Sequence, residues 1–441
     1  MTRILDQFSY GDGPIAACFW NETSAPQNWP ALGTEVTAEV AIIGGGYTGL
    51  TAGLLLAEAG RDVVVLDAQQ PGWGASGRNG GFCCLGGAKA SDKAMQRRFG
   101  QENLRDYRLA ERDAVDFVAA QLERLNIDAD VHSDGETMVA HRPRDIATLE
   151  SEAAHLDAIY GVRSDIISAD DMAAHGMRGG FHGAWTNPIG FALNPRKYVI
   201  GLAGAADKAG VQIFGDSAVL DAAATPQGYR LRTKTGTVLA KQVVIATNGY
   251  SSETIPKWMA GRYMPVQSNV MVTRVLTQNE QAAQGWTSTQ MAHDTRNLLH
   301  YFRLMPDGRF LFGMRGGLRS NERAFHSMRA TIRRHFDQLF PAWAEVDAPW
   351  FWSGHVCMTR GLTPYVGEIP DQPGMFAGFA YHGNGVAMGS YSGALLADRV
   401  LNQQTHRHPQ IMQSKPGFMP GGRLRKLALW PAYLGYGLQD L

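Results

Sequence analysis

The chain has 441 residues, of which 44% are hydrophobic and 19% charged, enough to build a sizeable core and two intertwined domains. Lysine plus arginine and aspartate plus glutamate number 41 each, so no net field attracts nucleic acid or an anionic membrane. Four cysteines (Cys18, Cys83, Cys84 and Cys357) form no CxxC or zinc-binding pattern, which predicts reduced thiols, no metal site and a cytoplasmic protein.

Residues 1–35 predict an irregular lead-in that packs Trp20 and Trp29 onto the body of the protein. The first residues lack the apolar core of a signal peptide, and no later apolar run reaches membrane-spanning length. We therefore expect no membrane span.

Residues 38–67 predict a dinucleotide-binding βαβ unit. An apolar strand at 40–43 precedes a helical pattern at 47–59, and a second apolar strand at 63–66 ends on Asp67. Strand, glycine turn, helix, strand and acid is the order that this unit requires.

The glycines between the first strand and the helix have the spacing that a bound pyrophosphate demands. Gly44 permits a tight turn, Gly46 permits close approach of backbone to phosphate, and Gly49 permits close packing of helix on strand. Asp67 lies 67 − 44 = 23 residues past the first glycine, where a carboxylate binds ribose hydroxyls and repels a 2′-phosphate. The pattern therefore favours an adenosine ribose without the extra phosphate of NADP.

The middle of the chain alternates helical and extended patterns. Asn194 before Pro195 predicts the start of a helix that stops at Gly210. The predicted helices are 99–125, 144–159 and 193–210, and the predicted strands are 211–214, 229–233 and 243–250. Residues 262–319 predict a β-rich region, and 427–438 a docked C-terminal helix.

Three later segments favour a flavin over a nicotinamide cofactor. Residues 71–81, PGWGASGRNGG, offer backbone donors for a longer cofactor, and 243–249 end a strand in small residues. Residues 375–401 repeat the strand–glycines–helix theme, which aims a helix N-terminus at a reduced flavin ring.

These segments, in this order, resemble the FAD-dependent glycine/D-amino-acid oxidase family, in particular its gamma-glutamylputrescine oxidase branch. The shared motifs are GGGYTGL, GWGASGRNGG and HGNGVA; the chain departs from the branch at Phe82-Cys83-Cys84. The resemblance implies a non-covalent FAD contacted by Gly44, Gly46, Tyr47, Thr48, Gly49, Asp67, Ser76, Gly77, Arg78, Asn79, Gly80, Gly81, Val219, Ala246, Thr247, Gly383, Asn384, Gly385 and Val386.

The same resemblance predicts an α/β fold with two domains. A Rossmann-like FAD-binding domain of the DAO type is assembled from 36–95, 193–255 and 350–405. A mostly antiparallel sheet with helices, from 96–192 and 256–349, forms the substrate domain, and 406–441 form a C-terminal tail with its helix.

Four side chains are candidates for the substrate pocket. Tyr381 and His382 lie in the last glycine turn, where they line the flavin or, alternatively, only cap the turn. Tyr301 and Arg303 share one face of a predicted strand, and an inward guanidinium there binds a carboxylate; a surface salt bridge is the alternative. Arg315 and Arg319 come after them as candidates.

The remaining reactive groups have plainer interpretations. Cys357 is expected to be a buried, inert thiol, and Cys83 and Cys84 to line the pocket. The basic cluster Arg423, Arg425 and Lys426 is expected to be a solvated helix face.

The predicted activity is oxidation of the C–N bond of a small amine or amino acid. The chain has no second GxGxxG unit for NAD(P)H, so the electrons are expected to come from the substrate itself, with imine hydrolysis and reoxidation by O2 to H2O2. One alternative is a dehydrogenase that passes electrons to a quinone or protein carrier. Another is a flavin domain acting on a modified macromolecule such as tRNA, which the neutral charge disfavours.

Overall fold

Two eight-stranded sheets organise the computed structural model, which describes residues 2–25, 27–317 and 319–440. The helices are α1 Tyr47–Glu58, α2 Asp92–Phe99, α3 Gln101–Arg124, α4 Ile146–Tyr160, α5 Pro195–Lys208, α6 Gln278–Gln284, α7 Glu322–Leu339, α8 Ala387–Leu401, α9 Gln410–Gln413 and α10 Leu429–Gln439. The strands are β1 Glu35–Ile43, β2 Val63–Leu66, β3 Phe82–Cys84, β4 Glu136–Val139, β5 Asp165–Ser168, β6 Gly183–Asn187, β7 Gly190–Ala192, β8 Gln212–Phe214, β9 Asp221–Thr225, β10 Gly228–Arg232, β11 Thr237–Ile245, β12 Met264–Val275, β13 Met291–Asp294, β14 His300–Leu304, β15 Arg309–Arg315, β16 Trp350–Met358, β17 Tyr365–Glu368 and β18 Met375–Phe379.

The first sheet has the order β17-β18-β11-β1-β2-β8, with the β9–β10 hairpin extending from β11. Strands β18, β11, β1, β2 and β8 are parallel, and β17 is antiparallel to β18. Because helices cover both faces of a parallel sheet, its central strands are continuous apolar runs rather than alternating ones. This confirms the predicted βαβ unit and the α/β fold class.

Helices α1 and α8 pack against each other at very short range. A Cβ on Gly393 would lie 2.5 Å from the backbone oxygen of Thr48, so only glycine allows the contact. The predicted helix that starts after Asn194 is confirmed as α5, because the Asn194 side chain accepts hydrogen bonds from the backbone N–H groups of Arg196 and Lys197. Because β1, β2 and β11 are parallel, their C-terminal ends lie at the same edge of the sheet.

The second sheet has the order β16-β12-β15-β14-β13-β4-β6-β5 and is antiparallel except for the β13–β4 pair. Its buried face is aromatic: Phe302 stacks 6.0 Å from Phe312, and Phe310 lies 4.9 Å from both Phe340 and Trp343. The predicted mostly antiparallel sheet is confirmed. Residues 350–358, predicted as part of the FAD-binding domain, form β16, which pairs with β12 of the second sheet from Met264↔Met358 to Val272↔Trp350.

The helix predicted over 99–125 is confirmed as α3, and a separate short helix, α2, precedes it. Gly100 has φ = +87°, a left-handed conformation that interrupts the helical path between α2 and α3. The Ser91 side chain accepts a hydrogen bond from the backbone N–H of Ala94 and caps α2. In the described part of the chain, no helix combines the length and apolarity needed to cross a bilayer.

The tail after α9 is held by a buried ion pair rather than by a solvated basic face. Arg425 donates to both oxygens of Glu253, with the Nη2–Oε1 distance at 2.6 Å and side-chain exposures of 1% and 7%. The prediction for this cluster is therefore wrong for Arg425. Its partner lies 172 residues away in sequence, so local composition gives no indication of the pair.

Breaking this pair is expected to destabilise the protein strongly. Glu253→Gln leaves the buried guanidinium without a counter-charge, which costs about 3 kcal/mol and lowers the urea midpoint of unfolding. Lys426→Met is the matched control, because Lys426 is 38% exposed and 3.8 Å from Asp6; its effect stays within about 0.5 kcal/mol. Equal midpoints for the two variants would contradict this assignment.

Candidate active site

A cavity of about 800 Å³ lies where the C-terminal ends of β1, β2 and β11 face the second sheet. Ligands of open α/β sheets bind at this edge, and cavities of this size hold cofactors. The N-terminal lead-in also reaches it, since Arg3, Gln7 and Tyr10 line the wall.

The glycine turn before α1 brings backbone to the cavity surface. Gly44 has φ = +113°, and a Cβ there would lie 2.7 Å from the backbone oxygen of Ala246. The Ser76 hydroxyl accepts a hydrogen bond from the backbone N–H of Tyr47 at 3.0 Å and stands beside Gly46. This end of α1 presents N–H groups and the positive end of its dipole, which suits a pyrophosphate.

Gly49 does not line the cavity; it sets the distance between α1 and the turn. A Cβ at this position would lie 1.9 Å from the backbone oxygen of Gly44. The third glycine of the motif therefore serves helix–strand packing, as the motif predicts.

Asp67 stands at the end of β2 and holds the turn. Its two carboxylate oxygens accept hydrogen bonds from the backbone N–H groups of Gly45 at 2.6 Å and Gln69 at 2.9 Å. Burial raises the pKa of Asp67. Each oxygen keeps a second lone pair, so the carboxylate also has the capacity to accept from a ribose hydroxyl.

Arg78 is a buried cation with no carboxylate within 4.0 Å among the residues that the structure describes. It donates from Nε to the Trp73 oxygen at 2.6 Å and from Nη1 to the Ser353 oxygen at 3.2 Å, whereas Nη2 has no acceptor. Burial lowers the pKa of Arg78. A buried guanidinium in this state is stabilised by a neighbouring anion, so this region of the cavity fits the phosphates or ring of FAD.

His382 is braced on both ring nitrogens. Nδ1 lies 2.7 Å from the Gly87 oxygen, and Nε2 accepts from the backbone N–H of Thr359 at 3.3 Å. Burial lowers the pKa of His382 to about 4, so the ring is neutral near pH 7. This geometry favours the alternative in which His382 shapes the turn before α8 over a role in proton transfer.

The Tyr381 hydroxyl also has a hydrogen-bond partner within the protein. Its hydroxyl lies 2.9 Å from the Thr48 hydroxyl, which itself donates to the Gly389 oxygen at 2.7 Å. Burial raises the pKa of Tyr381. The pair ties α1 to α8 beneath the cavity.

Tyr301 and Arg303 share one face of β14, but only Tyr301 reaches the cavity. Arg303 lies in a smaller pocket, where it donates to the Leu193 oxygen at 2.8 Å and contacts His132 Nε2 at 2.9 Å. Burial lowers the pKa of Arg303 to about 9. Arg315, at the end of the neighbouring strand β15, supplies the guanidinium of the cavity and donates to the His382 oxygen at 3.2 Å.

Two charged residues of the cavity, Lys89 after β3 and Glu136 at the start of β4, were not predicted from the sequence, and Arg315 was predicted only as a secondary candidate after Arg303. Glu136 is near His293, with an Nε2–Oε1 distance of 3.7 Å. None of the three belongs to a recognisable local motif, because they meet only through the pairing of strands far apart in sequence.

The two cysteines of β3 face opposite sides of the strand because side chains alternate along it. Phe82 and Cys84 line the cavity, whereas Cys83 between them points into the core, which corrects the expectation that both thiols face the pocket. Cys357 lines the cavity wall, and burial raises the pKa of its thiol, so it remains protonated and poorly nucleophilic.

The predicted cofactor residues converge on one cavity although they come from five separate segments, 44–48, 67–80, 219, 246–247 and 383–386. Those that line it are Gly44, Gly46, Tyr47, Thr48, Asp67, Ser76, Arg78, Asn79, Gly80, Val219, Ala246, Thr247, Gly383, Asn384, Gly385 and Val386. Gly77 and Gly81 stand behind it like Gly49, since a Cβ would lie 2.1 Å from the Gly72 oxygen and 1.9 Å from the Leu193 oxygen, respectively. Together these residues fit FAD.

Residues 39–399 match the family model described as DAO, FAD dependent oxidoreductase, and the chain therefore belongs to this family. The chain is 30% identical over 431 residues to the probable oxidoreductase OrdL of Rhizobium meliloti, covering 96% of this chain and 97% of that one. It is 29% identical over 412 residues to gamma-glutamylputrescine oxidoreductase of Escherichia coli, covering 93% and 94%.

Solved structures share the fold. Glycine oxidase from Geobacillus kaustophilus superposes with a TM-score of 0.68 at 21% identity, covering 84% of this chain and 96% of that one. Iminodiacetate oxidase from a Chelativorans species superposes with a TM-score of 0.69 at 16% identity, covering 85% and 98%. The chain is thus an FAD-dependent oxidoreductase with the fold of these enzymes.

Two glycines of α1 provide a matched test of the cofactor site. Gly49→Ala forces α1 away from the Gly44 oxygen, so the purified protein is expected to lose most of its bound FAD, measured by absorbance near 450 nm. Gly53→Ala meets only ordinary contacts, with Val65 Cγ2 at 3.4 Å, and should retain FAD. Full flavin content in Gly49→Ala would show that this contact does not shape the site.

Proposed function

We propose that this enzyme oxidises the C–N bond of a small amine or amino acid that carries a carboxylate, with hydrolysis of the resulting imine and O2 as electron acceptor. The observation that carries the proposal is the Arg315 guanidinium in the cavity, which has no carboxylate within 4.0 Å among the described residues. The names of three similar proteins agree with it, because gamma-glutamylputrescine, glycine and iminodiacetate each combine an amine with a carboxylate.

The N-termini of α1 and α8, with Asp67 and Arg78, would hold FAD, which supplies the hydride acceptor when bound. The protein then has to orient an amine against it. Arg315 binds the carboxylate through paired N–H donors, and the hydrogen bond from its Nη2 to the His382 oxygen fixes the guanidinium.

An aromatic wall opposite these groups keeps water from the reacting carbon. The Tyr301 ring packs against Phe82 at 5.7 Å, and its hydroxyl is fixed by the Ser268 hydroxyl at 3.0 Å. A Cβ on Gly313 would lie 2.0 Å from the Tyr301 ring, so only glycine leaves room for the ring in this position. The substrate therefore meets a rigid apolar surface on one side and a cation on another.

Arg315→Met is expected to raise KM for glycine or sarcosine by about 100-fold, since losing one partner of an enclosed charge pair costs about 3 kcal/mol. Propylamine, which has no carboxylate, should be affected little. Arg319→Met is the control and should behave as the wild type, because Arg319, the other candidate from this turn, is exposed and is not among the residues that line the cavity. Steady-state kinetics decide, and equal losses for all three amines would contradict the assignment.

Reduction and reoxidation are tested separately on the yellow holoenzyme. Anaerobic addition of glycine, sarcosine, iminodiacetate or putrescine should bleach the flavin with at least one carboxylated amine, and air should restore the colour with one H2O2 per turnover. Acid precipitation should release the FAD, because the protonated Cys357 thiol does not form a bond to it. Bleaching without peroxide would replace O2 by a carrier as the acceptor.

A further inference from the structure

Lys89 is a cation of the cavity that the proposed function leaves without a role. It lies five residues after β3, in a loop where Gly86 and Gly87 have φ = +131° and +128°. Its backbone N–H donates to the Leu362 oxygen at 2.8 Å, which fixes the loop. The side chain remains accessible although protein encloses it, because it faces the cavity.

The polar side chains around the cavity differ in whether they have a hydrogen-bond partner within the protein. The hydroxyls of Tyr301 and Tyr381 and both nitrogens of His382 have protein partners. In the part of the chain that the structure describes, Lys89 has neither a hydrogen bond from its ammonium nor a carboxylate within 4.0 Å. Glu136 and His293 are the other acid–base groups on this wall, and a carboxylate or an imidazole is a weaker base than an alkylamine, so it deprotonates an alkylammonium less efficiently.

The charges that face Lys89 come from several elements. Arg315 at the end of β15 repels it, and this repulsion together with burial lowers the pKa of Lys89 to about 8. Glu136 of β4, the Cys84 thiol and Glu111 of α3 act in the opposite direction, and His382 is close enough to sense the lysine. A substantial share of Lys89 is therefore a neutral amine at mildly alkaline pH.

We propose that Lys89 is the base that accepts a proton from the ammonium group of the bound substrate. Lys89 and Arg315 line the same cavity and lie close enough to interact. The amine and the carboxylate of an amino acid are likewise close to each other. With the substrate carboxylate on Arg315, the adjacent ammonium lies next to Lys89.

The transfer conserves atoms and charge. The bond from the substrate nitrogen to one hydrogen breaks, a bond from that hydrogen to Lys89 Nζ forms, and R–NH3⁺ plus Lys–NH2 becomes R–NH2 plus Lys–NH3⁺. No oxidant is needed for this step. The neutral amine regains the lone pair that oxidation of its C–H bond requires, and Lys89 returns its proton to water after the product leaves.

This inference rests on the proposed function and assigns the proton acceptor within it. In the wild-type holoenzyme, stopped-flow flavin reduction by glycine or sarcosine, whichever is faster, should rise with pH and level off above a midpoint near 8. In Lys89→Met that midpoint should vanish, the rate at pH 7.5 should fall by about 100-fold, and it should recover towards pH 10 as the free amine becomes abundant.

Two further variants separate the base from a mere cation. Lys89→Arg keeps the positive charge but cannot accept a proton, so it should behave as Lys89→Met while still binding the carboxylate. Wild-type rates in Lys89→Arg would overturn the base role in favour of carboxylate binding. Lys93→Met, an exposed lysine on α2, should leave both the rate and its pH profile unchanged.

A readout independent of turnover is the reactivity of the amine itself. Pulses of acetic anhydride on the holoenzyme, read by peptide mass spectrometry, should acetylate Lys89 with a midpoint near pH 8, about two units below an ordinary lysine. A midpoint in the ordinary range would overturn the assignment. A holoenzyme that no amine reduces overturns the proposed function and the base role with it, whereas a wild-type pH profile in Lys89→Met overturns the base role alone.

Discussion

The contact between Gly49 and the backbone oxygen of Gly44 is the constraint from which the rest of the site follows. With 1.9 Å between that oxygen and the place of a Cβ, α1 starts directly over the end of β1. Its first N–H groups then open onto the same edge of the sheet as Asp67 and the Ala246–Thr247 turn. A helix displaced by even a methyl group would aim these donors elsewhere, and α8, which touches α1 at Gly393, would move with it.

Charge is distributed unequally between the two sides of the cavity. On the side of the parallel sheet, Asp67 is satisfied by backbone N–H groups, and Arg78 is buried against carbonyl oxygens and aromatic rings. On the side of the second sheet, Arg315 lies close enough to Lys89 to repel it, and the carboxylates that offset this repulsion are Glu136 and Glu111. Uncompensated cations at close range are costly for a fold, so the second wall is suited to an anionic ligand group rather than optimised for stability.

How well the sequence predicts a residue of the site depends on how far apart in sequence that residue and its contacts lie. Gly44, Gly46, Gly49 and Asp67 act within one βαβ unit, so their spacing alone predicts the turn. Strand alternation correctly placed Tyr301 and Arg303 on one face of β14, but the boundary of the cavity falls between them and is drawn by packing of the two sheets. Lys89 and Glu136 meet only after β4 joins the second sheet, and Arg425 is buried only because Glu253 lies beneath it.

The end of the chain packs close to Arg315, a residue of the cavity wall. Asp440 accepts hydrogen bonds from the backbone N–H groups of Asn297 and Leu298 at 2.8 and 3.0 Å, and Arg425 holds the other end of the tail through Glu253. Between these anchors, α10 places Tyr433 close enough to Arg315 that the two interact electrostatically, and burial raises the pKa of Tyr433 to about 12. The guanidinium that we propose for carboxylate binding therefore has an electrostatic neighbour more than 100 residues downstream, because the docked tail brings Tyr433 close to it.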